Sequence, residues 1–167
     1  YYASNRHSGN VYHLYKNGQR LIFGDQNKSQ TDPHYCAEKK ELYFTMDERI
    51  YVYRDDAVSI LPAPINLVGK NIQPFLTADC QTIYFSSDRN GGVFQIYKSD
   101  RQEGDKWSEP ELIVSSKNGV GNPSLTDSSH LWSILAKLIR LSYIVGVTFP
   151  LMVAKLSSPP IETEEIS

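Results

Sequence analysis

Cysteine is scarce. The 167 residues hold two, Cys36 and Cys80, with no CxxC spacing and no paired histidine nearby. That removes the zinc and redox motifs that cysteine spacing would signal. The residues alone favour a buried thiol and a turn thiol over a bridge between neighbouring repeats, so cysteine usage assigns no compartment. A basic excess is also missing. Lys and Arg number 17 against 19 Asp and Glu, for a net charge of −2, which gives no reason to expect a nucleic-acid partner. No Gly-x-Ser-x-Gly, P-loop or dinucleotide fingerprint occurs. Tyr1 is preceded by no Met, no basic stretch and no apolar stretch of a signal peptide. A start inside what reads as a strand points to a processed chain or a fragment.

What is present is ordinary for a globular protein: 40% hydrophobic and 22% charged residues, with 11 tyrosines that suit strands. The clearest stretch is Asn71 to Arg101. It reads as a polar turn (Thr77 to Cys80), a strand (Thr82 to Phe85), a second turn (Ser87 to Gly92) and a strand (Val93 to Tyr97). Two aromatic-rich strands joined by Gly91-Gly92 make a β-hairpin, because glycine supplies the φ > 0 such turns need.

That hairpin recurs. Pro33 lies 41 residues before Pro74, and Tyr43-Phe44 lies 41 before Tyr84-Phe85. Tyr1 to Arg6 lies over Tyr84 to Arg89, and Val11 to Lys16 over Val93 to Lys98 after a one-residue slip. Asn17-Gly18 reads as a tight turn into a strand at Arg20 to Phe23. Arg49 to Tyr53 is the third strand of the second copy, and Ile60 to Leu67, with two prolines, its outer segment. A fourth copy opens at Gly121 to Asp127 and then loses the pattern. Leu131 to Leu156 is apolar apart from Lys137, Arg140 and a few small polar groups, and permits three readings. A divergent repeat is preferred over a packed amphipathic helix, and a membrane span comes last, because two charges inside it cost roughly 2.5–3.5 kcal/mol each. Residues 157–167 read as a disordered tail.

A repeat of about 40 residues, built from short strands and polar turns, is the signature of a β-propeller. The fold class expected is therefore all-β: a propeller segment of about four partial blades of antiparallel strands, the last divergent. The divisions are 1–30, 31–70, 71–120 and 121–156. The repeat resembles the TolB-type propeller repeat, related in shape to the tryptophan–aspartate repeats, through Pro74, Leu76, Asp79, Ile83, Tyr84, Phe85, Ser87, Asp88, Arg89, Gly91, Gly92, Ile96 and Tyr97. The Trp107 to Pro110 ending resembles a variant found beside OmpA-like domains. Cys80 departs from it, standing where the family has a turn glycine. The resemblance implies a periplasmic or outer-membrane-associated protein.

Asp79, Asp88 and Arg89 are the polar landmarks. Because Asn5 and Arg6 reuse the second pair, the reading is structural: Asp79 caps its turn, and Asp88 pairs with Arg89 at the hairpin mouth. His7, His13, His34 and His130 are scattered, without metal or triad spacing. The candidate binding surface is His34, Tyr35 and Trp107, with a packing role for Trp107 weighed above recognition. No catalytic, metal or cofactor residue is assigned. The expected function is a non-enzymatic scaffold that binds a protein of the bacterial cell envelope, without nucleic acid. The alternative is the propeller part of a hydrolase, glycan-active or gating a prolyl-oligopeptidase-like peptidase.

Overall fold

A computed structural model describes residues 1–125; the readings made for residues 126–167 lie outside them. The described chain is all-β, with three antiparallel sheets, no α-helix, and one short 3-10 turn at Glu103–Asp105. The first sheet joins β1 (Tyr2–Ser4), β2 (His13–Lys16) and β3 (Gln19–Arg20). The second joins β4 (Gln30–Cys36), β5 (Glu41–Met46), β6 (Arg49–Arg54) and β7 (Ala57–Ile60). The third joins β8 (Asn71–Leu76), β9 (Thr82–Ser87), β10 (Gln95–Asp100) and β11 (Glu111–Val114). Every sheet is a meander, with each strand bonded to the next in sequence.

The 41-residue offset is a structural repeat. Tyr43-Phe44 and Tyr84-Phe85 lie on β5 and β9, each the second strand of its sheet, and Phe44 faces Tyr51 across the ladder as Phe85 faces Tyr97. Tyr2 faces Tyr15 in the same way on β1 and β2, so the three strands of the first sheet correspond to the last three of the others. A bulge falls between Thr31 and His34 in β4, and again between Ile72 and Phe75 in β8. Inside each bulge a residue with positive φ precedes a proline: Asp32 at 51° and Gln73 at 57°. Asn122, before Pro123, repeats it at 56°. The fourth copy thus opens with the same backbone as the second and third.

Burial explains why these sequences make strands. All six residues of β5 are buried, which is what a strand covered on both faces requires, and accounts for its unbroken apolar centre. Leu42, Phe44 and Met46 pack with Leu14, Leu21 and Phe23 toward the first sheet. Tyr43 joins Ile83, Phe85 and Trp107 in the core shared with the third. Neighbouring positions serve opposite faces because the side-chain period of a strand is two.

Several boundaries differ from the sequence expectation. The strand expected over Arg20 to Phe23 ends at Arg20, apart from one further bond from Leu21 N–H to the Leu14 carbonyl. Phe23 leaves the sheet to stack on Tyr53, with ring centres 4.2 Å apart. The outer strand of the second sheet is Ala57–Ile60, and Ile60 to Leu67 mostly connects it to β8; prolines cannot donate to a ladder, so the strand stops short of Pro62 and Pro64. β10 begins at Gln95 rather than Val93.

One backbone bond recurs between successive repeats. The residue three positions before each repeat's opening proline (Gln30 and Asn71, which open β4 and β8, and Val120) donates its N–H to the carbonyl just before the third strand of the preceding repeat. Gln30 donates to Tyr12, Asn71 to Glu48 and Val120 to Phe94, each at 2.8 Å. Asp32 tests the repeated bulge. Asp32→Val places a β-branched residue at positive φ and is expected to cost about 1–3 kcal/mol, whereas Asp32→Gly is tolerated, because glycine takes that conformation without steric cost. Chemical denaturation midpoints measure both.

Candidate functional site

The three candidate surface residues occupy three different environments. His34 and Tyr35 are adjacent in β4 and therefore point to opposite sides. Tyr35, 37% exposed, stacks on Tyr1 at 4.9 Å, with the Lys16 ammonium 6.0 Å from its ring centre. His34 is half-buried against Phe75 at 4.5 Å. Loss of solvent pushes its pKa below the ordinary imidazole value, and a hydrogen bond to the Leu76 backbone partly offsets this. Trp107 is only 4% exposed and belongs to the core between the second and third sheets. It bridges Arg101 through the backbone, and the Arg101 guanidinium lies 4.8 Å over its ring. Trp107 has almost no surface to offer a partner.

The polar landmarks resolve into architecture. Asp79 Oδ1 accepts from the Thr77 hydroxyl and from Gln81 N–H at 3.1 Å, and these bonds, Thr77 first, hold its carboxyl below the ordinary value. Asp88 and Arg89 do not pair with each other, contrary to the expectation. Asp88 Oδ1 accepts Lys70 N–H at 2.6 Å. Arg89 lies 5.1 Å over Phe85 and 4.9 Å over Tyr97, and donates to the Ile65 carbonyl and to Asn71 Oδ1. Arg6 repeats this seat over Tyr2 and Tyr15, at 5.5 and 4.2 Å. The second sheet has no such arginine, because its β5–β6 loop is cut to Asp47-Glu48. Gln30, the counterpart of Asn71, is left with a buried carbonyl oxygen that meets no hydrogen-bond donor among the described residues.

The densest cluster of charge was invisible in the sequence. Glu41 and Tyr43 lie on one face of β5, Arg54 ends β6, Arg101 follows β10, and Asp105 sits in the 3-10 turn. Arg101 bonds Glu41 Oε2 at 2.7 Å and Asp105 Oδ1 at 2.9 Å. Arg54 bonds Glu41 Oε1 at 3.1 Å and Asp105 Oδ2 at 2.6 Å. Each carboxylate bridges both guanidiniums, so the array is closed and neutral. Arg101 also donates to the Tyr43 hydroxyl and, through Nε, to the Cys80 carbonyl at 3.1 Å. Burial, and then the hydrogen bond to Glu41, push the Tyr43 phenol far above its usual value, so it stays a donor. With all four carboxylate oxygens engaged, the cluster has no base to lend to a substrate. Only contact between sheets reveals it, since its members are spread from residue 41 to residue 105.

Beside this cluster, Cys36 and Cys80 form a disulfide, which corrects the expectation of two free thiols. Cys36 ends β4, and Cys80 takes the positive-φ position of the turn after β8. Packing of the two strands sets their Cα atoms 5.9 Å apart, within the range a disulfide spans. The bond closes a long loop and ties the second sheet to the third.

A cleft of about 440 Å³ lies between the β8 bulge, the β9–β10 loop and residues 118–121, lined by Ile72, Gln73, Val93, Phe94, Val120 and the neighbouring glycines and Asn118. Among the described residues no ionisable side chain lines it. Gly121 approaches so closely here that a Cβ would sit 2.8 Å from Gln73 Oε1, the atom that accepts Asn122 N–H. Among the described residues no three His, Cys, Asp or Glu side chains gather as a metal site.

Two measurements check this junction. Replacing both cysteines with serine is expected to lower stability by about 2–4 kcal/mol, read as a drop in the denaturation midpoint that reducing agent reproduces in the wild type. The second concerns acid. Burial alone would raise the Asp105 pKa, but the bonds and charges of Arg54 and Arg101 outweigh it and hold the carboxyl below the ordinary value. The unfolded chain therefore takes up this proton at a higher pH than the folded one. The stabilisation is complete above the ordinary aspartate range and is lost as pH falls through the depressed folded value. Asp105→Asn should flatten this part of the acid limb, modestly, since the side chain is 47% exposed.

The chain matches no protein-family model and no curated protein sequence, so any functional reading rests on the residues themselves.

Proposed function

We propose that the three sheets are consecutive blades of a TolB-like β-propeller, and that the chain is a non-enzymatic scaffold binding a protein of the bacterial cell envelope. The propeller reading is supported by the bond made at Tyr12, Glu48 and Phe94, which hands each repeat to the next in one geometry. Two-sided burial of β5 supports it as well, since stacked sheets cover one another's faces. The disulfide supports an oxidising compartment such as the periplasm, because cytosolic thiols are kept reduced.

The observation that carries the binding reading is where reactive and apolar groups lie. The one buried carboxylate among the described residues, Glu41, is held by two arginines, and the cleft is lined by backbone and uncharged side chains. Meanwhile Leu67 and Val68, in the β7–β8 connection, are 66% and 50% exposed. Gly69 abuts the backbone of Arg89, which brings this connection beside the β9–β10 loop and its exposed Val93. These connections differ from copy to copy, so a partner could be recognised there without disturbing the shared frame. Large apolar side chains left in water next to one another mark interaction surfaces.

The test compares the wild type with Leu67→Asp/Val68→Asp for saturable binding to a fractionated envelope protein, alongside turnover assays on glycan and peptide substrates. Binding that the double substitution abolishes, with the denaturation midpoint retained, is the expected result. Turnover that a single carboxylate substitution eliminates would overturn the reading in favour of a hydrolase.

A further inference from the structure

Residues 25–29 read Asp-Gln-Asn-Lys-Ser, and we propose that Asn27 is an acceptor for N-linked glycan. The acceptor pattern is Asn, any residue but Pro, then Ser or Thr. Of the chain's asparagines only Asn27 and Asn122 are followed two positions later by Ser or Thr. Asn122 is excluded because Pro123 stands between. The chain thus offers one acceptor, with an acidic residue, Asp25, two positions before it.

The structure puts this segment where a transferase can reach it. It lies in the connection between β3 and β4, outside both sheets, and Asn27, Lys28 and Ser29 are all exposed. The loop is held by few bonds. Asn27 N–H donates to Asp25 Oδ1 at 3.0 Å, Lys28 N–H to the Asp25 carbonyl at 3.3 Å, and Tyr12 N–H to Ser29 Oγ at 3.1 Å, while the Gln26 carboxamide accepts from Arg20 at 2.9 Å and donates to the Phe23 carbonyl at 2.5 Å. The Lys28–Asp47 ion pair is itself solvent-exposed and so worth little. No hydrogen bond is made by the Asn27 carboxamide within the described residues. Opening such a loop to the extended form a transferase grips is a local event that leaves the sheets intact. The Cys36–Cys80 disulfide implies the oxidising side of a membrane, where lipid-linked oligosaccharides are consumed. The site requires that compartment, but it does not require the scaffold reading.

The co-donor is a lipid-diphosphate-linked oligosaccharide. Asn27 Nδ2 attacks the anomeric carbon, a C–N bond forms, and the bond from that carbon to the diphosphate oxygen breaks. The electron pair leaves with the lipid diphosphate and the amide gives up one proton, so no oxidant or reductant enters. The Ser29 hydroxyl is the recognition group two residues on.

Intact-mass analysis and glycopeptide mapping test this on the full chain, exported in a bacterial host carrying an oligosaccharyltransferase and, separately, through a eukaryotic secretory pathway. The expected result is one glycan on the peptide containing residues 25–29, absent in Asn27→Gln and Ser29→Ala and retained in Ser29→Thr. Asp25→Ala separates the donors: loss in the bacterial host alone assigns the site to a transferase that reads the acidic residue, and retention in both to one that reads only Asn-x-Ser. An unmodified mass in both hosts, with a control acceptor protein glycosylated, overturns the proposal. So does a glycan that persists in Asn27→Gln.

Discussion

The architecture depends on a backbone hydrogen bond that no side chain specifies. Each repeat delivers a carbonyl just before its third strand, and the N–H that opens the next repeat meets it. This bond sets where an incoming strand begins relative to the sheet already formed. The bulge two residues later, with a positive-φ residue locked before a proline, fixes its register. Register matters because a slip of one residue would turn every core side chain outward. Through that register Tyr43 comes to face the third sheet, and Leu42 and Phe44 the first.

Legibility follows from how local each feature is. The bulge, the Tyr-Phe strands and the tight turns are set by residues a few positions apart, so a fixed offset exposes them. Pro33 and Pro74 were landmarks in the sequence, and the structure gives their physical content. The disulfide and the four-charge array were not legible, since each requires knowing which sheets touch. Cys80 did carry a signal, standing at the turn position where the repeat it resembles has glycine. Positive φ alone was not the signal, since Lys40 takes the same conformation in the corresponding turn of the second repeat; what sets Cys80 apart is its bond to Cys36 at the end of β4. The outer strand of the second sheet was misplaced because an apolar run containing prolines resembled an edge strand, and the four residues before it were too short to stand out.

The buried array bears on specificity more than on stability. Glu41 and Arg101, each about 5% exposed or less, lose much of their hydration at the sheet junction, whereas Arg54 and Asp105 stay in contact with water. Mutual attraction repays that loss only where the buried pair finds its hydrogen-bond partners. Here that condition is met by closure: two carboxylates, each shared by two arginines, with the Tyr43 hydroxyl completing Glu41. An arrangement so dependent on geometry tolerates one mutual placement of the second and third sheets and penalises others. The aromatic core beside it would accept small slides at little cost, and the disulfide limits the larger ones.

Repetition also separates groups that build from groups free to recognise. Arg6 and Arg89 occupy the same seat over paired aromatic rings in two sheets, so the presence of Arg89 in a polar turn needs no functional explanation. The second sheet lacks that arginine and keeps Gln30 with an unanswered carbonyl, showing that the frame survives its loss. Tyr84 completes the comparison. It is the counterpart of Tyr43, but it is only partly buried. What covers Tyr43 is the next repeat, through Arg101. The connections vary in length and carry exposed apolar side chains such as Leu67 and Val68, which is why the proposed recognition is assigned to them.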